Sequence, residues 1–140
     1  MATFKFVIGN KGKTYQIEKS QEECRFLIGK EIGFRFAGDA IGLPGYELEV
    51  TGGTDRDGFP MRKDLPGTGR KRLLIDRKSG FHERKRVKKK MKKIRGLRIR
   101  KTFRGNTISA DIVQINCKVV REGEKPLEEL VGKKQEEAKE

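Results

Sequence analysis

The stretch FKFVIGNKGKTYQI, residues 4–17, sets the fold class of this 140-residue chain. Phe4, Phe6 and Ile8 alternate with Lys5 and Val7, Asn10-Lys11-Gly12 can turn the chain, and Tyr15 and Ile17 resume the alternation. Successive side chains of a strand point to opposite faces, so an apolar residue at every second position gives one buried face. Two such runs around a short turn with a residue suited to the left-handed conformation predict a β-hairpin.

The same period recurs further along. Ile32, Phe34 and Phe36 alternate, as do Tyr46, Leu48 and Val50, with Gly38-Asp39 and Leu43-Pro44-Gly45 as breaks. Ser20 followed by Glu23 resembles a capping box and permits one short helix or helical turn before Gly29. Leu73-Leu74-Ile75 reads as a strand covered on both sides. Leu97, Ile99 and Phe103 alternate with Arg98, Arg100 and Arg104, so one face can pack while the other presents guanidinium groups. From Thr107 to Val120 the apolar parity changes at Ile112-Val113, which predicts a bulge or bend in a long strand. Pro126 can open a last helix carrying Leu127, Leu130 and Val131.

Many short strands with Gly-rich turns predict a mainly-β protein, a small, strongly bent sheet or β-barrel with basic loops and a short C-terminal helix or tail. The length suits one domain, read as residues 1–130, followed by an acidic, polar and flexible tail at 131–140. Hydrophobic residues are 34% and charged residues 39%, so part of the chain is expected to stay outside the core.

The formal charge of +14 is very uneven. Residues 1–69 carry 10 Lys/Arg against 10 Asp/Glu, residues 70–104 carry 18 against 2, and residues 105–140 carry 6 against 8. Between Arg84 and Arg104 there is no acidic residue, so neutralisation within the segment is poorly supported and a polyanionic partner is expected. In Arg84, Lys85, Arg86, Lys88, Lys89, Lys90, Lys92 and Lys93, Val87 and Met91 stand four apart. This run can form a helical turn once screened, and residues 79–95 are expected to be loop-like or mobile in the free protein. A nuclear-localisation or membrane-surface peptide has a similar composition, but neither explains why the cations continue into a predicted strand.

Other chemistry is weakly represented. Gly12-Lys13-Thr14 echoes the end of a phosphate-binding P-loop, yet Val7 stands where that motif has its first Gly and the tripeptide lies in a hairpin. His82 is the only histidine, and no Ser or Cys pattern supplies a nucleophile with a base. Cys24 and Cys117 lack metal-ligand spacing and suit reduced thiols in a cytoplasmic protein. No signal peptide or membrane span is recognisable. We therefore expect no enzyme, no metal, no cofactor, no small-molecule substrate, and a monomer in isolation.

The densest turn chemistry is VTGGTDRDGFPM, Val50 to Met61. Gly52, Gly53 and Gly58 permit positive φ, Asp55 can bond nearby N–H groups, and Phe59 and Met61 return an apolar side to the core around Pro60. Composition favours a tight connection between strands. The alternative is a loop whose bare backbone approaches phosphate, helped by Arg56, Arg62 and Lys63.

This block, followed by RKRLLI at 70–75, ERKR at 83–86, RKTFRGNTI at 100–108 and EGEKPL at 122–127, resembles in order and spacing the small-subunit ribosomal protein family S6e of archaea and eukaryotes. The resemblance covers about residues 1–130, with Gly52, Gly53, Asp55, Gly58, Pro60 and Met61 its most diagnostic part. It implies a β-barrel-like structural component of the small ribosomal subunit, with ribosomal RNA and neighbouring ribosomal proteins as partners and no reaction. Eukaryotic members continue into a long basic helix and a phosphorylated serine-rich tail, whereas this chain ends at Glu140 and looks like the short, archaeal form. Added to the charge pattern, the resemblance predicts that Arg70, Lys71, Arg72, the 84–93 run, Arg95, Arg98, Arg100, Lys101 and Arg104 face rRNA phosphates, with Arg56, Arg62 and Lys63 nearby. The competing expectation is a nucleic-acid-binding or RNA-remodelling protein that works away from the ribosome.

Overall fold

The computed structural model describes residues 2–76 and 81–137. Its first two strands, β1 (Thr3–Asn10) and β2 (Lys13–Ser20), form the expected antiparallel hairpin, with Asn10 opposite Lys13. Lys11 and Gly12 between them both have positive φ, 48° and 80°, the pair of left-handed residues that a type I′ turn needs. The alternation decides which side is inside: Phe4, Phe6, Ile8 and Ile17 are buried, while Lys5 and Val7 remain partly exposed.

Three more strands complete the main sheet: β3 (Arg35–Ala37), β4 (Glu47–Asp55) and β9 (Ile112–Arg121). The order is β2-β1-β9-β4-β3, with β1 and β9 parallel and the other pairs antiparallel. Asp55 pairs with Ile112 and Thr54 with Gln114, so Val113 is the extra residue of a bulge where the sequence parity changes. Further register shifts leave Thr51 of β4 and Val120 of β9 outside the pairing. The sheet bends and does not close, so of the two expected forms the bent sheet is present rather than a barrel. Its inner face is covered by Cys24, Leu27, Ile41, Leu43 and Ile108 from the connections, and by Leu127 and Val131 of the C-terminal helix α1 (Leu127–Glu137).

Two small ribbons stand beside this core. β5 (Arg70–Ile75) pairs with β8 (Ile99–Arg104), and β6 (Arg84–Val87) pairs with β7 (Lys90–Lys93). Four local expectations are corrected by this arrangement. Among the described residues Leu73-Leu74-Ile75 is covered on one side only: Ile75 packs with Leu65, Leu73, Phe81 and Phe103, but Leu74 is 52% exposed because none of those residues lies over the other face of the two-stranded ribbon. The 84–93 run is a hairpin rather than a loop or helical turn, with Val87 opposite Lys90 across the two-residue turn Lys88-Lys89. Residues 79 and 80 of the segment expected to be mobile lie outside the described residues. The strand read from Ile32 is reduced to Arg35–Ala37, since Gly33 takes φ 98° and turns the chain. The strand read from Thr107 begins only at Ile112, because Ile108 N–H donates to the Lys30 carbonyl instead of joining a ladder. After Ser20, whose Oγ accepts from Glu23 N–H at 3.4 Å, the helical turn is a short 3-10 segment, Arg25–Leu27.

Candidate nucleic-acid interface

The connection from β4 to β5 is held by one aspartate. Asp55 Oδ1 accepts the N–H groups of Asp57 at 3.0 Å and Phe59 at 2.9 Å, closing a turn around Gly58. Its other oxygen accepts Arg70 Nε at 2.8 Å and Arg104 Nε at 3.0 Å, so the same carboxylate ties the main sheet to both strands of the β5–β8 ribbon. Burial alone would raise the Asp55 carboxyl. The Arg104 guanidinium, the Phe59 N–H and Arg70 outweigh that and hold it below the usual carboxylate range. Arg104 is itself only 8% exposed and also donates to the Thr68 carbonyl at 2.7 Å and to Asp111 at 3.3 Å.

The rest of the block is tied in through backbone. Met61 N–H donates to the Gly53 carbonyl at 2.8 Å, Arg104 N–H to the Pro60 carbonyl at 2.8 Å, and Arg62 N–H to the Arg104 carbonyl at 3.0 Å. Gly53 must be glycine for this approach, since a Cβ there would stand 2.4 Å from the Gln114 carbonyl oxygen. Gly58 serves the turn through its φ of 86°. No comparable reason for glycine is present at Gly52, where a Cβ would meet open space. These bonds make VTGGTDRDGFPM a tight connection between strands.

The cations fall into distinct groups. Arg62, Arg70 and Arg104 are held by intramolecular partners, with Arg104 buried, Arg62 half-buried and Arg70 exposed: Arg62 pairs with Asp64 and lies 5.3 Å from the Phe103 ring centroid, and Arg70 pairs with Asp55 and Asp57 and lies 4.7 Å from the Phe59 ring. The remaining cations of the ribbon follow strand parity. Arg70 pairs with Arg104, Arg72 with Thr102 and Leu74 with Arg100, which puts Arg72 and Arg100 on the face away from the Ile75–Phe103 cluster. Lys71 stands opposite Phe103 and Lys101 opposite Leu73, at the rims of the apolar face. Arg98, Arg95, Arg56 and Lys63 are exposed in the flanking turns and loops. On the β6–β7 hairpin every residue but Val87 is exposed, and Lys93 reaches Glu83 at 3.1 Å. The alternation of Arg98, Arg100 and Arg104 was legible, but burial of Arg104 was not: its partners Asp55 and Asp111 are separate in sequence and carry no local signal.

Catalytic-looking features resolve into structure. Gly12 occupies the hairpin turn and Lys13 pairs with Glu128 near the start of α1, so Gly12-Lys13-Thr14 does not open a helix. Cys24 and Cys117 are buried free thiols, and burial pushes Cys117 up to about 12. Among the described residues no cluster of His, Cys, Asp or Glu is arranged to hold a metal ion, and no helix is long and apolar enough to cross a membrane.

Fold and site define a small mainly-β protein built around a compact sheet, with a cationic ribbon and hairpin attached to it and charged groups arranged for electrostatics. A family model described as ribosomal protein S6e matches residues 4–132. The chain is 51% identical over 133 residues to the small ribosomal subunit protein eS6 of Methanothermobacter thermautotrophicus, covering 95% of this chain and 98% of that protein. It is 48% identical over 126 residues to the protein of the same name from Archaeoglobus fulgidus, and 47% identical over 134 residues to that of Methanocaldococcus jannaschii, covering 91% and 93% of those proteins. The chain belongs to the ribosomal protein S6e family, whose members are structural components and not enzymes.

Proposed function

We propose that the chain is a structural constituent of the small ribosomal subunit, working in the cytoplasm beside neighbouring ribosomal proteins and holding rRNA phosphates on the cations of residues 70–104. The relatives' name supports the subunit. The observation that carries the RNA contact is the segregation of 18 Lys/Arg against 2 Asp/Glu into one segment, whose described residues include the β5–β8 ribbon and the exposed β6–β7 hairpin. Arg72, Arg98 and Arg100, the 84–93 hairpin and Arg95 supply the main phosphate-binding surface, with Lys71, Lys101, Arg56 and Lys63 at its edges. Arg62, Arg70 and Arg104 support that surface by tying it to the main sheet and its loops through Asp64, Asp55, Asp57 and Asp111.

A-form RNA hides its base edges in a deep, narrow groove, so a surface of this kind reads the position and shape of the backbone. Binding of this kind needs no cofactor. Residues 1–130 act as one domain in this reading, and 131–140 as its polar end, beginning at Val131, which still packs on the core. The test is co-sedimentation with small subunits as salt is raised. The combined change Arg72→Gln, Arg98→Gln and Arg100→Gln is expected to release the protein at ionic strengths where the wild type stays bound, with thermal unfolding unchanged. Equal retention of the two proteins at every salt concentration would overturn the assignment.

A further inference from the structure

The β6–β7 hairpin differs from every other described ribbon in having no apolar face. In β1–β2 the residues Phe4, Phe6 and Ile8 lie on one side, and in β5–β8 the Ile75–Phe103 cluster does. In β6–β7 the cross-strand pairs Arg84 with Lys93 and Arg86 with Met91 alternate with Lys85–Lys92 and Val87–Lys90. Strand parity therefore places Arg84, Arg86 and Lys93 on one face, Lys85, Lys90 and Lys92 on the other, and Lys88 and Lys89 at the tip. The tip repeats the message, since Lys88 and Lys89 adopt φ 46° and 66°, the conformations in which Asn-Gly would be least strained.

We infer that this hairpin is inserted between two separate stretches of RNA backbone, whereas the β5–β8 ribbon lies on one. The inference rests on the phosphate-binding reading above and adds the geometry of the partner. Long side chains standing off opposite faces hold their charges farther apart than the Debye length, about 8 Å at physiological ionic strength. A single backbone along one face would leave the three cations of the other screened from it and still repelling one another. Phosphates on both sides neutralise both sets. The two backbones can belong to two helices or to two strands across one widened groove, and the chemistry recognised is the same.

The test uses the full chain and transcribed small-subunit rRNA. One variant carries Arg84→Gln, Arg86→Gln and Lys93→Gln, and the second carries Lys85→Gln, Lys90→Gln and Lys92→Gln. Both remove like-charge repulsion, and the first also breaks the Lys93–Glu83 pair, which contributes little at the surface, so neither is expected to unfold the hairpin. Each is expected to reduce the slope of log affinity against log salt by about 2 to 3. A benzophenone amino acid incorporated at Met91 or at Val87, the uncharged positions of the two faces, is expected to crosslink to two different RNA segments. An effect confined to one variant, no effect of either, or crosslinks from both faces to one segment would overturn the insertion. If the hairpin variants behave like wild type while the Arg72, Arg98 and Arg100 variant loses binding, the insertion fails and the broader RNA-binding reading stands. Salt-independent binding by the wild type would defeat that broader reading itself.

Discussion

At Gly53 a methyl group would meet the Gln114 carbonyl oxygen at 2.4 Å and Met61 Sδ at 3.2 Å, and a ladder carbonyl cannot move aside. Gly53→Ala is expected to destabilise the fold by about 1–3 kcal/mol, an overpacking cost, whereas Gly58→Ala, with open space around it, should lose only the roughly 1–2 kcal/mol of left-handed strain. Denaturant midpoints of the two variants check the order. Asp55 is 3% exposed and is the charge partner of buried Arg104, so Asp55→Ala should destabilise by about 3–5 kcal/mol in the same measurement. The folded-state pKa of Asp55 is depressed, which fixes the sign of its pH dependence. Its stabilisation is complete above the ordinary aspartate value of about 3.9 and is lost as pH falls through that value toward the lower folded one. Urea unfolding from pH 6 to pH 3 should therefore show a fall below about pH 4 that is shallower in Asp55→Asn. Sequence shows Asp55 as a turn residue, and two of its four bonds are the turn. The other two reach Arg70 and Arg104, 15 and 49 residues away, and separations of that size leave no local pattern to read.

The ribbons follow the period of 2 where one face packs and depart from expectation where neither does. The β1–β2 hairpin was legible because Phe4, Phe6, Ile8 and Ile17 mark its inner face, and the bulge at Val113 because the apolar parity breaks there. The β6–β7 hairpin was not, because a run of cations has no apolar period and Val87 and Met91, four apart, suggest a helix. Leu73-Leu74-Ile75 misled for a related reason, since a continuous apolar run does not reveal whether a second layer exists to cover Leu74. An isolated two-stranded hairpin is marginal, like charges directly opposite weaken it further, and two lysines in left-handed conformation add roughly 1–2 kcal/mol each. Amides of residues 84–93 should accordingly exchange nearly as fast as a free peptide in the protein alone at low salt, and become protected when rRNA is added. Lys88→Asn with Lys89→Gly should slow exchange in the free protein while weakening RNA binding, which separates hairpin stability from charge.

For the whole molecule, the 4–132 match and the relatives' shared name make this a ribosomal component, while the RNA-facing surface rests on charge and geometry. The molecule is divided in a consistent way: balanced charge over residues 1–69 with most of the core, and the net charge in ribbons attached to it through Asp55, Arg70 and Arg104. That division was legible from the charge counts. Which arginines are structural was not, because it depends on where the β4–β5 connection lies against β8. Binding of the full chain to small-subunit rRNA, followed from 50 to 200 mM salt, tests the phosphate surface most directly. With about ten phosphates engaged, affinity should fall by roughly 1,000-fold or more over that range. An affinity that stays level across it would contradict the assignment of residues 70–104 to the RNA backbone.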